Sequence, residues 1–64
     1  MPRQEEIFIL TVAKLGHATP HAQLITTVDG DDEWIPFSQI HAIHKEEPPR
    51  VEMTAWIAKK KGFY

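Results

Sequence analysis

The sequence contains no cysteine. That excludes a disulfide scaffold, a thiolate zinc site, an iron–sulfur cluster and a cysteine nucleophile, and it suits a reducing compartment such as the cytoplasm. Long apolar runs are missing too. The longest spans only Ile7 to Leu10, where a membrane helix needs roughly 20 residues. Glu5 and Glu6 stand where a secretory signal would be basic, so secretion is not expected. Length is also scarce: 64 residues make a single domain, 1–64. A chain this short buries only about 60% of its unfolded surface, and its large apolar side chains are committed to one small core. An enclosed catalytic pocket would compete with that core, which favours binding over chemistry and points to a non-enzymatic role without a cofactor.

What the chain does have is 42% hydrophobic and 25% charged residues, the balance of a globular protein and not of a disordered one. The formal charge is -2, unevenly spread. Up to Glu33, the acids Glu5, Glu6, Asp29, Asp31, Asp32 and Glu33 face only Arg3 and Lys14. From Trp34 onward, Lys45, Arg50, Lys59, Lys60 and Lys61 outnumber Glu46, Glu47 and Glu52. The chain is therefore a charge dipole in sequence.

Residues 7 to 15 are rich in β-branched and aromatic side chains and read as a first strand. Gly16 is expected to break it, and Pro20 disfavours a helical conformation at Thr19, so residues 16 to 21 read as a loop. Ala22 to Val28 alternates into Asp29-Gly30, and apolar character resumes over Glu33 to Phe37, which predicts a hairpin. Pro36 cannot donate a ladder hydrogen bond, so the second arm is expected at a sheet edge or leaves the sheet there. Ser38-Gln39-Ile40 reads as a turn or bulge, Ile40 to His44 as a fourth strand, and Val51 to Met53 as a fifth. Thr54 suits the N-cap of a helix over Ala55 to Lys61, with lysines opposing the helix dipole at its end and Gly62 as C-cap. Such a short helix must pack on the sheet through Trp56 and Ile57. The fold class is mainly β (α+β): a small bent antiparallel sheet or SH3-like barrel of four to five strands with a short C-terminal helix. Trp34 and Trp56 are expected in the core, and Phe63 and Tyr64 outside it.

Trp34 to Ile40 (WIPFSQI) followed by Val51 to Phe63 (VEMTAWIAKKKGF) resembles a pattern of short uncharacterised proteins of bacteriophages and prophages. These carry a W-[ILV]-P-x-S-Q-[ILV] strand and a closing W-[IL]-A-x-x-K-G helix. The similarity covers Ala18 to Phe63. It departs at Phe37, where a basic residue is common, and at Thr54-Ala55, where Pro-Glu is more usual. The resemblance implies a compact mainly-β fold and a phage-linked origin, and it brings no catalytic residues.

Four histidines invite a metal hypothesis, but Pro20 separates His17 from His21, and His41 and His44 would point to opposite faces of a strand. The run Asp29 to Glu33 begins like a calcium loop, yet Trp34 and Ile40 occupy the positions that need Gly and Glu. Ser38 and His41 are close in sequence without the elbow that would mark a nucleophile. Neither a metal nor a catalytic site is expected. Two charge patterns remain. Asp29, Asp31, Asp32 and Glu33, joined by Glu46 and Glu47, could present an anionic surface to a basic host protein or complex. With the phage resemblance, this reads as an accessory protein that occupies a host nucleic-acid-binding complex and inhibits it in the anti-CRISPR manner, in the host cytoplasm. The alternative is a single-stranded nucleic-acid-binding module using Arg50, Lys59, Lys60 and Lys61 with exposed aromatics.

Overall fold

A computed structural model describes residues 6–64. Arg3 and Glu5 lie outside the described residues. The apolar, branched start of the chain forms one long strand, β1 (Ile7–Ala18). It is followed by β2 (Ala22–Thr27), β3 (Asp32–Pro36), a 3-10 turn (Phe37–Gln39), β4 (Ile40–His44), β5 (Arg50–Thr54) and the helix α1 (Ala55–Lys60). The five strands form one sheet in the order β3-β2-β1-β5-β4, with every neighbouring pair antiparallel.

The bend of the sheet follows from how β1 is shared. Ile7 to Thr11 pair with β5 on one side, and Val12 to Ala18 pair with β2 on the other. Between Val12 and Lys14 the register slips, a bulge that turns the strand and switches its parity. Phe8, Leu10 and Val12 face inward before it and Leu15 after it, while Ile7 and Ile9 face out. An unbroken alternation through residue 15 would have placed the wrong side chains in the core.

Gly16 does not end the strand, as the sequence suggested; β1 continues to Ala18, and the loop shrinks to residues 19–21. The missing side chain serves packing: a Cβ on Gly16 would lie 3.2 Å from Leu24 Cδ2. Thr19 closes the short loop, its Oγ1 accepting from the backbone N–H of His21 (3.2 Å) and Ala22 (3.0 Å). The β2–β3 hairpin forms where expected. Gly30, at φ 94°, donates to the Thr27 carbonyl, and Thr27 donates to Asp31 across the turn. Pro36 lies on an edge strand, as its lack of an N–H requires.

The core is built from Val12, Ile25, Ile35, Val51, Met53, Ile57 and Ala58. Ile57 and Ala58 bring α1 down onto it. Thr54 begins the helix, its Oγ1 accepting from the Ile57 N–H (3.3 Å) and donating to Gln39 Oε1 (2.6 Å), which ties the 3-10 turn to the helix start. At the other end Gly62 (φ 81°) donates to the Lys59 carbonyl and Phe63 to that of Ala58, a Schellman closure. The mainly-β bent sheet with a short closing helix is thus the fold, its edge strands β3 and β4 linked through the 3-10 turn.

Two aromatic placements differ from expectation. Trp34 is not in the core: on β3 the inward position belongs to Ile35, and Trp34 on the opposite parity is 43% exposed. Phe63 packs against the core instead of standing free. Tyr64 is exposed, as expected, and stacks on Phe8, with ring centres 4.8 Å apart. Trp56 does pack against the core, half-buried.

Candidate functional site

Trp56 and Lys60 are four residues apart on α1 and therefore share a face. Lys60 Nζ lies 4.9 Å from the centre of the Trp56 ring, a cation–π contact that leaves the ammonium exposed. Across from them, β3 presents Trp34 outward, followed by Pro36, and the 3-10 turn adds Ser38 and Gln39. An open groove of about 560 Å³ runs between these elements, with Trp56, Lys60 and Lys61 on the helix side and His21 at the β3 end. None of the described residues lining it is acidic. It offers two indole rings and two ammonium groups in one concave surface.

Lys61 has a second neighbour. Its Nζ lies 3.7 Å from Glu33 Oε1, with both side chains about one-third exposed. On that side is a smaller groove of about 280 Å³, where Asp29, Asp31 and Glu33 face Leu10, Lys61 and Phe63. Asp29, Asp31 and Asp32 are exposed at the hairpin, and Asp32 accepts from Thr26 Oγ1 at 2.7 Å. Three of the carboxylates singled out from the sequence, Asp29, Asp31 and Glu33, therefore line one groove, while Asp32, on the alternate parity of β3, turns to Thr26.

Glu46 and Glu47 are placed elsewhere. Val12 of β1 pairs with Thr27, and Thr11 with Arg50. Because β2 and β5 flank β1 on opposite sides and both run against it, the 28–31 turn extends past the N-terminal half of β1 and the 45–49 loop past its C-terminal half. Glu47 accordingly lines a groove with Lys14, Gly16, Ala18 and Lys45, sharing no residue with the hairpin groove. Arg50 is likewise separated from the helix lysines. It opens β5 opposite His44, with its Nε buried and without a hydrogen-bond partner among the described residues. Lys59, Lys60 and Lys61 remain together at the helix end, with Lys59 and Lys60 exposed.

His44 Nε2 lies 2.6 Å from Glu52 Oε2 on the outer face of the sheet. Among the described residues no group of three or more His, Cys, Asp or Glu side chains comes together as a metal site would require. No helix is long and apolar enough to cross a membrane, among the same residues.

Sequence reasoning missed Trp34 as a groove residue. The signal was present, since Pro36 marks β3 as an edge and Ile35 claims the inward parity. Comparison with protein-family models, with curated proteins and with solved structures gives no match.

Proposed function

We propose that the groove between Trp34 and Trp56 binds single-stranded nucleic acid, with Lys60 and Lys61 meeting its phosphates and the indoles offering faces for bases. The observation that carries this reading is the convergence of two tryptophans from separate elements on two lysines, in a concave surface that no carboxylate among the described residues lines. Base–aromatic stacking contributes about 1–3 kcal/mol per base, and phosphate contacts add a sequence-independent, salt-sensitive term. The net charge of -2 does not oppose this decisively. At physiological salt exposed charges are screened beyond about 8 Å, so acids farther off than that do not offset the lysines, while Glu33, 3.7 Å from Lys61, competes with the ligand for that one ammonium. The role is non-enzymatic and cytoplasmic, and it needs no cofactor. Fluorescence anisotropy with labelled single-stranded DNA and RNA at low and moderate salt tests it. Binding that weakens as salt rises is expected, and no binding at low salt contradicts the reading.

A second reading follows from the hairpin carboxylates, because Asp29, Asp31 and Asp32 are exposed side by side. Here the chain is a phage-type accessory protein, as its sequence resemblance implies, and the acidic hairpin holds a basic surface of a host nucleic-acid-binding complex. The hairpin carries this role without Glu46 and Glu47. Two charge-reversal pairs separate the readings: Asp31→Lys with Asp32→Lys, and Lys60→Glu with Lys61→Glu. Loss of partner capture only in the aspartate pair supports the protein-binding reading; loss of oligonucleotide binding only in the lysine pair supports the first.

A further inference from the structure

Among the described residues, Lys61 alone lines both the tryptophan groove and the acidic groove. Its Nζ–Oε1 separation of 3.7 Å from Glu33 is that of a loose ion pair, longer than a charge-assisted hydrogen bond. Such a partly exposed pair exchanges readily with solvent ions or with an incoming phosphate. Beyond Glu33, Asp31 and Asp29 extend the negative surface where the groove ends.

This arrangement has different consequences for flexible and rigid polyanions. The described molecule measures only 29 × 25 × 19 Å. A duplex carries one negative charge per roughly 1.7 Å of axis and stays stiff over about 150 base pairs, so it cannot turn aside within that length. Seated on Lys60 and Lys61, it would run its phosphates past the hairpin carboxylates, and like charges brought together select against a ligand. A single strand can place a phosphate on Lys61 and then leave the surface.

We propose that Glu33, backed by Asp31 and Asp29, is the specificity element of the groove: by sharing Lys61 with the ligand it admits a flexible single strand and rejects a duplex. This rests on reading the groove as a nucleic-acid site. The test measures affinities of the full chain for a single-stranded oligonucleotide and for a duplex of the same sequence, in wild type, Glu33→Gln, and Asp31→Asn with Glu33→Gln. These positions are on the surface, and a circular dichroism melt of each variant establishes that it is folded. The double variant should gain about tenfold on the duplex and about threefold or less on the single strand, because charge repulsion acts mainly on the rigid ligand. In a Lys61→Gln background, Glu33→Gln should bring no gain for the single strand. Equal gains on both ligands, or none, overturn the inference while wild-type single-strand binding upholds the groove. A wild type that binds neither ligand at low salt overturns both.

Discussion

The two walls of the groove each contribute one tryptophan, but they are held in different ways. The helix wall is anchored: Ile57 and Ala58 enter the core, Thr54 and Gly62 close the two helix ends, and Trp56 packs against the core beneath Lys60. The β3 wall is a sheet edge, whose inward side chain Ile35 is fully buried while Trp34 faces out. One indole thus serves the fold as well as the groove, and the other serves chiefly the groove. The same residue type at two positions should respond to mutation in opposite proportions of stability and binding.

The harshest way to break the comparison is to remove what both walls rest on. Met53 is fully buried in the core cluster that includes both Ile57 of the helix and Ile35 of β3. Met53→Ala should cost about 2–5 kcal/mol, enough to unfold most of a domain of this size, read as loss of the cooperative thermal transition. Next in size is the tryptophan pair. Trp56→Ala should destabilise by about 2 kcal/mol through lost packing, whereas Trp34→Ala should cost less than about 1 kcal/mol and still weaken oligonucleotide binding about tenfold. Urea denaturation alongside anisotropy separates the two effects. Equal stability losses would abolish the distinction between the walls. Gly62→Ala is smaller: at φ 81° a side chain is strained, and about 1 kcal/mol should be lost with little effect on binding. Smallest of all is Lys61→Gln, which should alter stability by no more than about 0.5 kcal/mol because its pair with Glu33 is loose and partly exposed. Its effect should instead be a shallower salt dependence of oligonucleotide binding.

Local chemistry made much of this fold legible. Asp29-Gly30, Pro36, Thr54 and Gly62 each have a narrow set of backbone uses, and each performs the one read from the sequence. Gly16 was misleading because an absent side chain serves a turn or a close contact equally well, and only the position of Leu24 decides between them. The bulge after Val12 was not readable either, since it depends on β1 changing partners along its length. Of the candidate site, the lysine cluster was legible from the helix and its cap. The partition of the acids was not: sequence places Glu46 and Glu47 in the same charge class as the hairpin carboxylates, and only the opposite courses of the two loops along β1 separate them.

A single strand bound by this protein should lie in the tryptophan groove. Titrating the isotope-labelled protein with a short unstructured oligonucleotide, and following backbone and indole N–H resonances, tests that most directly. The largest shifts should fall on the Trp34 and Trp56 indoles, His21, Lys60 and Lys61, with the 45–49 loop unmoved. Shifts centred instead on Lys14, Lys45 and Glu47, or on no part of the tryptophan groove, would contradict it.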